Sequence, residues 1–187
     1  MKQRNVLLSI LAVFTIALLP GFALSQPKGK FEQPVLITSA GQSADVTIAG
    51  MLFKKANIQA KALPLAKTAD LDGVKTLVVV AGFSSKGLGA AGISREQELA
   101  RVKSLLAAAQ EKKLKVVMLH LGGKARRGNQ SDDFNKMAAE ASRYLLVVKQ
   151  GNEDQFFSKI AAEKKIPIEL VDKIADAVQP VGNIFVN

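Results

Sequence analysis

The sequence predicts an α/β fold: a single-domain three-layer sandwich, flavodoxin-like or Rossmann-like, on a mostly parallel sheet of five to six strands. Two observations carry this. Short β-branched runs alternate with helix-length amphipathic segments, the pattern of parallel strands joined by crossover helices. The connections also divide by kind. Those leaving helices are a few residues long, whereas those leaving strands are longer and hold most of the Gly, Ser and Asn.

The first strand is read at Pro34–Thr38 (PVLIT), followed by a helix over Ala44–Ala56 whose Val46, Ala49, Met51, Leu52 and Phe53 suit one broad face. Ser39 and Gln42 have capping-box spacing, and Ser43 is an equally good cap. Gln59–Leu65 is a weaker strand, and Pro64 inside it argues for an edge position. Thr76–Ala81 (TLVVVA) is the clearest central strand. The glycine-rich stretch Gly82–Gly92 reads as a loop. Ser94 and Gln97 form a second capping box, opening a long helix over Arg95–Lys113. Leu114–Leu119 is the next strand, with His120 at its end, and Ser131 is placed to cap a helix over Asp132–Arg143. The acids Asp132 and Asp133 suit that helix's first turn. Tyr144–Val148, a helix over Gln155–Lys164, a last strand at Pro167–Val171 and a short helix to Val178 complete the order, with Gln179–Asn187 left indefinite.

Ahead of this domain, Lys2 and Arg4 precede an apolar run from Val6 to Leu19, Pro20-Gly21 breaks it, and Ala23-Leu24-Ser25 supplies small residues. This matches a secretory signal over residues 1–25, cut near Ser25/Gln26, with an uncleaved anchor as the alternative. Residues 26–33 then form a flexible leader, and 34–187 the domain. The chain of 187 residues has no cysteine, which excludes a lipid-modified N-terminus and disulfides. The expected location is extracytoplasmic, periplasmic or secreted.

Loss of Lys2 and Arg4 with the signal leaves 24 basic residues against the 16 acids of the chain. A solvated lysine-rich surface accounts for that excess; an acidic ligand or an anionic cell envelope are the sharper readings. Export and the spread of the lysines argue against nucleic acid.

The stretches ITSAGQS, GFSSKGLGAAGIS, HLGGKARRGNQSD and VVKQGNEDQFFSKIAAEKKIP resemble a family of exported bacterial α/β domains known only as a domain of unknown function. The resemblance covers most of the mature chain. It implies a flavodoxin-like or Rossmann-like sandwich outside the cytoplasm and transfers no catalytic roles.

In an open α/β sheet the strand-to-helix loops lie together at the carboxyl edge. Four polar loops therefore share one rim: Ser39–Ser43, Gly82–Gly92, His120–Ser131 and Lys149–Asp154. Candidate ligand donors are Ser39, Gly41, Gln42 and Ser43 on the first. Ser84, Ser85, Lys86, Gly87 and Gly89 form a lid on the second. His120, Gly122, Gly123, Lys124, Arg126, Arg127 and Gln130 supply charge on the third. Arginine's planar fork recognises carboxylate or phosphate bidentately. Because Arg126 and Arg127 are adjacent, one of them points into the crevice, and Arg126 is chosen; a solvated charged turn is the plainer alternative. Gly87–Gly92 matches G-x-G-x-x-G, but Gly82–Lys86 separate it from the strand and no acidic partner follows, so no dinucleotide cofactor is expected. One histidine and no cysteine leave no metal cluster.

The leading expectation is a non-enzymatic extracytoplasmic binding protein for a small anionic metabolite, a carboxylate or phosphate, serving a membrane transporter or envelope partner. Two alternatives stand beside it: a hydrolase using Ser39 or Ser43 with His120, and an envelope-associated accessory protein without a small ligand. Oligomeric state is not encoded in any motif.

Overall fold

In the computed structural model, which describes residues 30–185, every strand of one six-stranded sheet is parallel. The expected signal and the leader up to Gly29 lie outside these residues. The strands are β1 (Val35–Ala40), β2 (Ala60–Ala62), β3 (Thr76–Ala81), β4 (Lys115–His120), β5 (Tyr144–Val148) and β6 (Ile168–Val171). The helices are α1 (Asp45–Lys55), α2 (Ser85–Ala91), α3 (Arg95–Glu111), α4 (Asp132–Ala141), α5 (Phe156–Lys164) and α6 (Val178–Ile184). Spatial order is β2-β1-β3-β4-β5-β6, so the chain steps outward from β1 to β2, then crosses back to β3 and proceeds the other way. Right-handed crossovers then place the helices of the two directions on opposite faces.

Strand alternation sorts the core into two. Val35, Ile37, Val78, Val80, Val117, Leu119 and Leu146 face α1 and α6. Leu36, Leu77, Val79, Val116, Met118 and Leu145 face α3, α4 and α5. The central strands are buried on both sides, which is why they read as unbroken apolar runs. Three layers, a parallel sheet and β2 as a short edge strand agree with the sequence reading.

Four local expectations are corrected. The Gly82–Gly92 loop contains α2: Ser84 Oγ accepts from Gly87 N at 3.1 Å, and Gly92, at φ 66°, closes the helix in the left-handed region. Glycine in a helix costs up to about 1 kcal/mol each, and burial of Leu88 offsets this. The tail forms α6, because Val181 and Ile184 complete the α1 face of the core. The end of the leader is fixed as well: Phe31 is fully buried and pairs with Phe185. Ser131 caps nothing; its Oγ instead accepts from Phe83 N at 3.2 Å, tying the β3 and β4 loops together.

Candidate functional site

The switch point lies between β1 and β3, where a crevice at the carboxyl edge is expected. Main chain fills it. β1 extends through Ser39 and Ala40, Gly82 N donates to Ala40 O at 2.9 Å, and Ser84 N donates to Gly41 O at 2.8 Å. Gln42 and Phe83 form an antiparallel bridge across the gap. Gly41 sits at φ 101°, and a Cβ there would lie 2.6 Å from Gly82 O; one at Gly87 would lie 1.8 Å from Gln42 O. Both glycines allow loop to meet loop, and Gly87 belongs to no lid.

Beneath this closure lies a buried ion pair that sequence reasoning did not single out. Glu98 of α3 is fully buried. Its Oε1 accepts from Gly41 N at 3.0 Å and Gln42 Nε2 at 3.0 Å, and its Oε2 accepts from Arg101 Nε at 2.7 Å. Arg101 also donates to Ser39 O and Ala66 O. The signal was present: Glu98 falls in helical phase with Val102, Leu105 and Ala109, on the buried face of α3. These contacts correct the role expected for the first loop. Ser39, Gly41, Gln42 and Ser43 are all buried. The Ser39–Gln42 capping box does not form, because Ser39 is in the strand and Gln42 turns toward Glu98 and Pro64 O. Ser43 Oγ accepts from Asp45 N at 3.2 Å.

His120 is fully buried, with Nδ1 3.2 Å from Ala81 O and Nε2 3.1 Å from Gly123 O. A neutral imidazole has one N–H, so one carbonyl at most receives a bond. Burial pushes its pKa below the usual histidine value, despite the two carbonyls, which favour the protonated ring. The ring packs 4.8 Å from Phe157 and directly against Gly151. Neither serine proposed as a nucleophile bonds to it, and both Ser39 and His120 are shut off from solvent. Ser39 Oγ has no partner among the described residues.

The cationic loop divides in the way its adjacent arginines require. Arg127 turns inward: it bonds Asp132 at 2.8 Å and Asp154 at 2.8 Å, donates to Gly151 O, and lies over the Phe156 ring at 4.3 Å. Its guanidinium holds the Asp154 carboxyl well below the usual carboxylate range, and burial alone would raise Asp132, which Arg127 and Asn135 draw down. Arg126 turns to the rim, donates to Phe83 O at 2.9 Å and faces Asp45 Oδ2 at 3.9 Å. Gly122 and Gly123 permit this turn; a Cβ on Gly122 would strike Arg126 Cγ at 2.0 Å. Lys124 is exposed beside Glu153 at 3.8 Å, and Gln130 offers its carbonyl to Arg95.

What remains open on the rim is a groove of about 430 Å³ between α2 and the β4 loop. It is lined by six expected residues (Ser84, Ser85, Lys86, Arg126, Arg127 and Gln130), joined by Phe83, Ala125 and Ser131. No carboxylate lines it. Gly89 stands outside it with open space around its Cα. No group of three or more His, Cys, Asp or Glu able to hold a metal occurs among the described residues.

Fold and site together define a doubly wound α/β domain with a closed switch point and a small polar groove beside it. The chain belongs to the family described as a domain of unknown function, DUF6305, whose model matches residues 32–185. A comparison with curated proteins finds no match. The likenesses to solved structures are weak. A GDSL-like lipase from Bacteroides thetaiotaomicron is 12% identical with a TM-score of 0.34, covering 73% of this chain and 66% of that one. Esterase EstA from Pseudoalteromonas is 11% identical with a TM-score of 0.33, covering 73% and 76%. A truncated 3-deoxy-D-arabino-heptulosonate 7-phosphate synthase from Thermotoga maritima is 13% identical with a TM-score of 0.34, covering 84% and 51%. At these scores no property of theirs transfers to this chain.

Proposed function

We propose that this is a non-catalytic, extracytoplasmic binding protein for a small organic anion, carboxylate or phosphate, held in the rim groove and passed to a membrane or envelope partner. The observation that carries the reading is the groove's lining: Lys86 and Arg126 face it with the hydroxyls of Ser84 and Ser85, and no carboxylate does. A guanidinium and an ammonium around an anion supply directed, charge-assisted bonds. The buried His120, with both ring nitrogens against carbonyl oxygens, favours binding over hydrolysis.

The test is a thermal-shift panel of carboxylates, phosphates, sugars and amino acids. A ligand at about 100 times its dissociation constant adds about 2.7 kcal/mol, roughly 5–10 °C for a domain of this size. The shift should come from one anion class and vanish in Arg126→Gln and Lys86→Gln, while Lys61→Gln keeps it. Silence across the panel overturns the proposal. Ester turnover lost in His120→Asn would replace it with the hydrolase reading.

A further inference from the structure

The charge excess of this protein is not on the rim but at the opposite end of the sheet. In a parallel sheet all helix-to-strand connections meet at the amino edge. Here Lys54 and Lys55 end α1, and Lys112 and Lys113 follow α3. Arg143 follows α4, Lys164 and Lys165 close α5, and Lys75 leads into β3. Lys115 opens β4 at the same edge, and the acids here are six: Glu32, Asp70, Asp72, Glu111, Glu140 and Glu163, of which Glu32 pairs with Lys115 and Asp72 with Lys112, each at 2.9 Å. The rim has the reverse balance. Lys86, Arg95, Lys124, Arg126, Arg127, Lys149 and Lys173 stand against Asp45, Glu96, Asp132, Asp133, Glu153, Asp154, Asp172 and Asp176. Nine cations against six acids at one edge, and seven against eight at the other, give the molecule a polarity along its strands.

A cation at a helix C-terminus complements the helix dipole, and that accounts for one per helix end. It does not account for the doubled lysines at three ends, nor for the cavity they surround. Between α3 and α4 the amino edge opens into about 560 Å³, bordered by Lys103, Lys113, Lys115, Arg143 and Lys164, with Glu140 its only acid. Glu140 in turn lies 3.9 Å from Lys136. The described chain also begins at this edge: Lys115 Nζ donates to Lys30 O at 2.8 Å.

We infer that the amino edge is a docking face for a bilayer bearing anionic lipid, with the α3–α4 cavity receiving lipid phosphate. Basic residues near an anionic surface add roughly 1 kcal/mol each, about fivefold in partitioning, and act within a Debye length. Docking by this edge turns the strands upright on the membrane and leaves the rim groove facing away, open to solute. The inference is independent of the rim reading, since it uses none of the groove's residues.

The experiment is flotation of the purified protein with vesicles of phosphatidylcholine alone and with 30% phosphatidylglycerol added, about a third of the headgroups. The expected result is a strong preference for the anionic vesicles, lost on raising salt from about 0.05 to 0.5 M as screening shortens. Lys112→Gln/Lys113→Gln/Lys164→Gln/Lys165→Gln should lower anionic binding at least about tenfold. The rim control Lys124→Gln/Lys149→Gln/Lys173→Gln should stay within about twofold. Melting curves confirm that both variants fold. Equal binding to both vesicle types overturns the inference. So does equal loss in the two variants, which marks a response to net charge without a face.

Discussion

Arg101→Met isolates the pair that locks the switch point. Methionine and arginine have similar helix propensity, so α3 itself is not penalised. The substitution leaves Glu98, fully buried, with the Gly41 and Gln42 donors but no counter-charge. Removing one partner of a buried pair costs about 3–5 kcal/mol, whereas an exposed pair is worth about 0.2–1 kcal/mol. Ser39 O and Ala66 O also lose their donor. The larger range applies, about 6–20 °C in melting temperature at this size. In Glu98→Gln/Arg101→Met both charges go, and the amide oxygen still accepts from Gly41 N. Stability should recover by at least about 1–2 kcal/mol over the single variant, within the usual range of coupling energies. Urea denaturation with a shared m-value measures both. A single-variant cost below about 1 kcal/mol, or a double variant worse than the single, would refute the claim that a buried charge pair holds the loops together.

Two glycines of α2 should respond with opposite signs. Gly87→Ala puts a Cβ 1.8 Å from Gln42 O and should cost about 1–3 kcal/mol or more, as overpacking against backbone does. Gly89→Ala meets nothing within 4 Å and should stabilise by about 0.4–1 kcal/mol; urea midpoints decide both. His120 sets a pH dependence. Its folded pKa is lowered by burial, so below the ordinary value of 6.5 the unfolded chain takes up the proton first. Stability is full above that pH and falls as pH drops toward the folded value, by up to about 1.4 kcal/mol per pH unit. His120→Gln should flatten the slope between pH 6.5 and the onset of carboxylate titration; an unchanged slope would assign it elsewhere.

Much of this architecture was readable because burial on both faces leaves a strong signature. TLVVVA and YLLVV are strands wherever a parallel sheet forms, and Ser94 with Gln97 makes the capping box their spacing describes. The misreadings have one physical source, which is that tertiary contact decides what local composition leaves open. SKGLGAA looks like loop because glycine disfavours helix, yet Gly87 is the only residue that fits against Gln42 O. Gln42 looks like a cap until Glu98 is placed beside it. Arg126 and Arg127 could be separated only in part: adjacency says that one faces out, but Asp154 and Phe156, which hold Arg127 in, arrive from another strand's loop. The polarity between the two edges was in the sequence throughout, and it became visible once each lysine could be assigned to a connection.

The pairing of Phe31 with Phe185 bears on when this domain can finish folding. Lys30 N and Phe31 N both donate to Ile184 O, at 2.8 and 2.9 Å, and the Phe185 ring meets Phe31 at 5.9 Å and Phe53 at 5.4 Å. The segment that seals the α1 face therefore follows every strand of the sheet in the order of synthesis. A nascent chain holding all six strands still has Phe31 and Phe53 without their Phe185 partner, an apolar surface that a chaperone can grip. Only the arrival of α6 closes it, so this face of the domain stays unsealed until that helix has emerged.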